Sequence, residues 1–351
     1  MNHDPPCKNA PVDRLPVEWP TVHPHAGGMK HFLIKHFLKI VISAWLGCSP
    51  LLGQGPLNKQ IEDAVRLEEQ GQYAPAIDLI KNVLQTAQLN SVELARADIM
   101  LGFANRGLGN FIAAENAFDR SLRILEHDPN HIGDYAAALQ NYAALYGDLG
   151  QYRPAQTMWE KALRLRRQQG NHADAARALL DLAELQVAEK QLHKARRYVD
   201  DASQEMKVAT DLLDDDRIAF LETDAFVALQ EGQAMLAVAG FRASLELCIR
   251  TYGQQHWLTG WEHALLGKAQ SQMGDSESAL ANVQEGVAIL TQVFGSKSRK
   301  SLFAQTLYYQ VLDRAGQHLE ATRIKATVEQ ERKDLGMTGC PGCTINVAGF
   351  R

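Results

Sequence analysis

The chain has 351 residues, 46% hydrophobic and 22% charged, with a net charge of −5. Such proportions belong to a folded protein, and the mild acidity provides no overall attraction for nucleic acid. Five cysteines, Cys7, Cys48, Cys248, Cys340 and Cys343, are too few and too scattered for a disulfide scaffold.

Residues 1–28 hold Pro5, Pro6, Pro11, Pro16, Pro20 and Pro24 and little apolar content, so they are expected to be disordered or to come from an upstream start. From Met29 the character changes. Lys30, Lys35 and Lys39 precede the apolar run Ile40–Leu46, and small or turn residues follow from Gly47 to Gly55. A basic start, a short apolar run and a small-residue end read as a signal peptide over residues 29–55. The uncharged run contains Pro50 and is short for a membrane span. Leu46-Gly47-Cys48-Ser49 resembles a bacterial lipoprotein processing site, in which Cys48 would be acylated, although Trp45 and Leu46 depart from that pattern. The plainer expectation is an apolar cysteine inside a discarded signal. The location expected is periplasmic or secreted, with a membrane-anchored lipoprotein as the variant.

Over residues 56–333 one pattern recurs, seen most cleanly from Ala136 to Arg167. Leu139, Tyr142, Ala143 and Tyr146 stand at helical spacing, Gly150-Gln151-Tyr152 breaks the run, and Ala155, Trp159, Ala162 and Leu163 resume it. That spells helix, turn, helix, with small residues where the two backbones approach. Equivalent turns fall at Gly71, Gly109, Gly150, Lys190, Gly232, Gly274 and Gly316, at intervals of 38 to 42 residues. Glycine suits a helix end that needs a left-handed residue. Five residues beyond each turn stands an alanine: Ala76, Ala114, Ala155, Ala195, Ala237, Ala279 and Ala321. Four further on, one helical turn along the same face, come Ile80, Phe118, Trp159, Val199, Phe241, Val283 and Lys325. Only the last is polar, as a final repeat facing water requires. Asp128-Pro129-Asn130, Gly170-Asn171 and Asp214-Asp215-Asp216 read as loops between repeats. After about Lys333 the helical signal ends, and residues 334–351 form an irregular tail.

This pattern resembles the tetratricopeptide repeat, with Tyr142-Ala143 in place of Leu-Gly and Trp159 in place of Phe. The long period, and the linkers Tyr252-Gly253-Gln254-Gln255-His256 and Phe294-Gly295-Ser296-Lys297-Ser298, are similar to those of kinesin light chains. The resemblance implies an all-α, right-handed superhelical solenoid of about seven helix-turn-helix repeats.

Motifs for chemistry are sparse. Cys340-Pro341-Gly342-Cys343 lacks the helix and βαβ setting of a redox pair and the further ligands of a zinc site, so a local disulfide is the bland reading. The basic clusters Arg164-Leu165-Arg166-Arg167 and Lys194-Ala195-Arg196-Arg197 lie among acidic neighbours and read as solvated faces. No cofactor, metal ligand set or catalytic residue is expected.

In the tetratricopeptide family the first helix of each repeat lines a concave groove. The resemblance therefore implies partner contacts at Arg96, Phe103, Arg106, Arg177, Glu184, Phe226, Trp261, Lys268, Phe303 and Arg314, where aromatics beside arginines make good anchors. For each residue the plain reading is helix packing or solubility. The Lys and Asn set with which chaperone-binding members grip a peptide carboxylate is replaced mostly by Ile, Ala and Gln. The function expected is a non-enzymatic scaffold in the bacterial cell envelope that binds a protein or peptide segment of unknown identity, with no nucleic-acid partner and no membrane contact beyond the signal segment or lipid anchor. The alternatives are a regulatory or nucleic-acid-associated module, whose basic clusters would converge on one face, and an enzyme with a site between repeats, which requires clustered, perturbed titratable groups.

Overall fold

The computed structural model describes residues 56–335. The signal segment, Cys48, Cys340 and Cys343 lie outside the described residues.

Fourteen α-helices and no strand occur among the described residues: α1 Pro56–Glu69, α2 Tyr73–Thr86, α3 Ser91–Leu108, α4 Phe111–Leu125, α5 Ile132–Asp148, α6 Tyr152–Gln168, α7 His172–Ala188, α8 Leu192–Val208, α9 Asp214–Gln230, α10 Ala234–Tyr252, α11 Trp257–Met273, α12 Ser276–Phe294, α13 Arg299–Arg314 and α14 His318–Asp334. Odd-numbered helices open a repeat and even-numbered ones close it. Each helix packs on its partner and then on the next repeat, and α3 packs on α5, α5 on α7, α7 on α9 and α11 on α13. The architecture is an all-α solenoid of the tetratricopeptide type. No described helix is long and apolar enough to cross a membrane.

The turns work as their residues dictate. At the second, Gly109 sits at φ +87 and donates to the Arg106 carbonyl at 3.0 Å while Asn110 donates to that of Asn105 at 2.8 Å. Such reciprocal bonds satisfy carbonyls that a helix end leaves open. Lys190 keeps the same geometry without glycine, at φ +61, the one described non-glycine residue with positive φ. All seven alanines are buried, six of them at 0% exposure, because each meets the opposing helix of its hairpin. Gly102 marks a tight approach of the same kind: a β-carbon there would stand 2.5 Å from the Phe118 ring. Phe118 and Phe241 are fully enclosed, whereas Lys325 at the same position of the last repeat is exposed.

One expected loop is helical instead. Asp214, Asp215 and Asp216 form the first turn of α9, and the Asp216 carboxylate accepts a bond from the Leu213 N–H at 3.0 Å. Acidic side chains are favoured there because the start of a helix presents unsatisfied N–H groups and positive partial charge.

The two halves of the solenoid also touch. Phe294, at the end of α12, stacks on Tyr73 of α2 with ring centroids 6.3 Å apart and planes 12° apart. It crosses so close to Gly71 that a β-carbon there would collide with the ring. Lys300 of α13 donates to the Tyr73 hydroxyl at 3.2 Å across 227 residues of sequence. Its ammonium also lies over the rings of Trp257 at 4.6 Å, Phe294 at 5.0 Å and Tyr73 at 5.6 Å. Beside it the Arg299 guanidinium covers the Phe111 ring at 4.8 Å. A seam of rings and cations thus joins the first two repeats to the sixth and seventh.

Candidate functional site

The first helices carry most of the residues expected to meet a partner, and the structure sorts them into two groups. Arg96, Trp261, Lys268 and Phe303 are at most 9% exposed. Arg96 forms a fork to Asp134 of α5, Nε to Oδ1 and Nη2 to Oδ2 both at 2.9 Å, tying the second repeat to the third. The Trp261 ring stacks on Phe303 with centroids 4.4 Å apart, linking the sixth repeat to the seventh. Lys268 donates to Gln310 Oε1 at 2.9 Å, and burial, followed by the nearby Arg314, pushes its pKa down to about 8.

The second group reaches solvent. Arg106, Arg177, Phe103 and Phe226 are half-buried, and Glu184 and Arg314 are exposed. Phe103 stands edge-on to Tyr73 at 6.4 Å and so borders the seam. Arg106 pairs with Asp148 at 2.7 Å, and Arg177 with Asp216 at 3.2 Å. Phe226 lies against the apolar cores on both sides of α9.

Around Glu184 stands a row of carboxyls. Asp181 precedes it by three residues on the same face of α7, Glu222 comes from α9, and Glu262 from α11. Glu184 accepts from the Thr223 hydroxyl at 3.2 Å, and Glu222 accepts from Trp261 Nε1 at 2.8 Å. Glu262 is completely enclosed, its carboxyl lying against the Glu222 carboxyl and the Ser244 hydroxyl with no cation beside it. Burial, with Glu222 next in size, raises the Glu262 carboxyl well above the ordinary range, and burial likewise raises Glu222. Asp181 is lifted by burial to about 6 despite the pull of Arg177 and Arg106. Glu184 is lifted to about 8 by burial, then by Glu222 and Asp181. Because the Glu184 surface is open to water while protein closes round its other sides, solvent screens part of that shift. Carboxyls crowded together resist simultaneous ionisation, so the row retains protons that isolated acids would release.

Among the described residues no group of three or more His, Cys, Asp or Glu is arranged to hold a metal ion. Cys248 is a buried free thiol whose ionisation burial opposes. The basic clusters serve as struts. Arg166, 3% exposed, pairs with Asp174 at 3.0 Å, Arg167 with Glu205 at 2.7 Å, and Arg196 with both Asp224 and Glu231.

Sequence reasoning overlooked Asp148, Asp181 and Glu262, together with the seam residues Tyr73 and Lys300. Asp181 had a local signal, since Arg177, Asp181 and Glu184 succeed one another at helical spacing. Lys300 had none, because its rings come from distant repeats.

The family model for the tetratricopeptide repeat matches residues 93–168 and 134–204. No curated protein matches the chain. Among solved structures, a Rap protein complexed with competence and sporulation factor is similar at 14% identity over 86% of this chain and 92% of that one, with a TM-score of 0.59. The apo form of RapI matches at 11% identity over 80% of this chain and 99% of its own, with a TM-score of 0.57. A kinesin light chain repeat protein from Podosopora anserina matches at 18% identity over 57% of this chain and 96% of its own, with a TM-score of 0.44. Residues 93–204 match the tetratricopeptide-repeat model, and the helix pairs on either side continue the same all-α solenoid.

Proposed function

We propose that the protein is a non-enzymatic scaffold of the bacterial cell envelope whose first helices bind an extended protein or peptide segment. The observation that carries this reading is the set of charged side chains on the first helices α3, α7 and α9: Arg106, Arg177, Asp181, Glu184 and Glu222. These groups are half-buried or exposed, so a ligand can reach them. Helical-repeat solenoids suit the task because each repeat adds one more station along an extended surface. The complex of a Rap protein with competence and sporulation factor supports the same reading by analogy of fold. The envelope location rests on the signal-like segment at residues 29–55.

A photo-crosslinking residue placed at position 184 tests the binding face against one at position 246 on α10, exposed on a second helix. In envelope extract, discrete adducts at 184 and none at 246 are expected; equal adducts at both overturn the face assignment. Fractionation of cells expressing the full chain tests the location. Recovery in the cytosol with residues 29–55 still attached overturns it.

A further inference from the structure

Resting on that reading, we infer that the acidic row selects a segment bearing Lys or Arg, whose cationic side chain takes its seat between Glu184 and Glu222.

The charges do not balance locally. Arg106 is ion-paired with Asp148 and Arg177 with Asp216, at 2.7 and 3.2 Å. Asp181, Glu184, Glu222 and Glu262 form no ion pair within 4.0 Å among the described residues; Glu184 accepts from the Thr223 hydroxyl, and Glu222 accepts from the Trp261 indole and lies against the Glu262 carboxyl. A second, independent sign comes from behind the row. Glu262 is 0% exposed and its carboxyl lies against the Glu222 carboxyl and the Ser244 hydroxyl, with no cation beside it. Two carboxyls buried against each other cannot both ionise cheaply, and a cation reaching Glu222 would relieve both acids at once. The raised acids, Glu184 to about 8 and Asp181 to about 6, agree with a site awaiting positive charge.

The geometry also narrows the kind of cation. A compact metal ion needs several carboxylates converging on one point, and no such convergence exists among the described residues. The acids instead follow one another on α7, α9 and α11, through three consecutive repeats. An extended chain matches that spread better than a small free cation. An ammonium or guanidinium fits because each carries several donors for acids that now have few. Arg106, next to Asp181 in the field of the row, disfavours a uniformly basic chain and favours isolated cations in neutral surroundings.

The test uses the full chain and fluorescein-labelled peptides of one Ser-Gly background carrying spaced Lys, spaced Glu or spaced Asn, with spermidine as an unlabelled competitor. The Lys peptide is expected to bind about tenfold tighter than the Asn peptide, with the Glu peptide weakest and the preference shrinking as salt rises. Glu184→Gln and Glu222→Gln are each expected to weaken the Lys peptide about three- to tenfold while leaving the Asn peptide unchanged. Glu222→Gln keeps an acceptor for the Trp261 indole, and unchanged circular dichroism excludes misfolding. Equal binding of all three peptides, with adducts still at position 184, overturns the charge selectivity and leaves the binding face standing. Loss of all binding together with those adducts overturns the face itself. Spermidine displacing the Lys peptide at equal molar strength overturns the choice of a peptide over a free polyamine.

Discussion

The seam and the acidic row are both built from charged and aromatic side chains, yet they treat charge in opposite ways. At the seam the cations lie on rings: Lys300 covers three and donates to a hydroxyl, and Arg299 covers Phe111, with its buried Nη2 the one donor there left without an acceptor among the described residues. In the row the acids face one another, and no cation stands beside Glu262. Electrostatic self-sufficiency marks a contact that serves the fold, whereas an unbalanced row of like charge is tolerated where something else completes it. The contrast also explains why Arg96, chosen as a binding residue, behaves as part of the frame. Its fork to Asp134 leaves it 7% exposed and fully engaged.

The largest effect is therefore expected from breaking a satisfied pair. Arg96→Ala strands Asp134 in a buried position and should cost about 3–4 kcal/mol, read from urea unfolding. A loss under about 1 kcal/mol would mean that Asp134 rehydrates and that the fork lies at the surface. Next comes the seam. Phe294 packs against the apolar cores of both the first two repeats and the last three, so Phe294→Ala should cost about 2–3 kcal/mol. Small-angle scattering of the same variant should show a larger radius of gyration, since the stacking that closes the two halves is gone. An unchanged radius would show that the halves stay together without the ring.

Most of the solenoid was legible in the sequence because it is local. A turn, an alanine five residues later and a large residue four beyond that describe one hairpin, and repetition spells the stack. The seam was not legible, because Tyr73 and Lys300 meet only after the small rotation from each repeat to the next accumulates along the array. Placement of the site fell between these cases. Helical spacing placed Trp261 and Phe303 on first helices, but whether such a ring is covered depends on its neighbour one repeat away, and these two cover each other. The same held for Asp214–Asp216, where a run of acids reads as a loop in isolation but is a sound start for a helix.

Acidity sharpens the contrast between the two regions. A carboxyl whose folded pKa lies above its unfolded value binds its proton more tightly in the folded state. Its stabilising effect is complete below the unfolded pKa and is lost as pH rises through the folded one. For Asp181 that window runs from 3.8 to about 6, and for Glu184 from 4.5 to about 8. The protein should therefore be more stable near pH 5 than at pH 8.5. Asp181 alone accounts for about 1–2 kcal/mol after an allowance for solvent, and the open Glu184 adds a smaller part. Glu184→Gln should flatten the upper end of the curve, while Lys300→Met should lower the stability by loosening the seam. Thermal unfolding as a function of pH reads both; a profile that rises toward pH 8.5 would contradict the raised carboxyls.

The smallest effect is expected at the turn that leads out of the row. Lys190 follows α7, the helix of Asp181 and Glu184, and holds φ at +61, where a side chain crowds its own backbone. Gly71 and Gly109, the turns nearest the seam, reach the same region without that crowding. Lys190→Gly removes a strain of about 1–2 kcal/mol, offset by roughly 0.5–1 kcal/mol of extra freedom in the unfolded chain. Loss of a cation near the end of α7 subtracts a few tenths of a kcal/mol more. The net gain should be about 0.5 kcal/mol, and the reverse exchange Gly109→Lys should destabilise by about 1 kcal/mol. Hydrogen exchange localises the two changes, with slower opening of the fourth repeat in the first variant and faster opening of the second repeat in the other. If Lys190→Gly instead loosened the fourth repeat, the turn would owe its shape to the lysine side chain, and the row would rest on a stiffer foundation than the backbone angle implies.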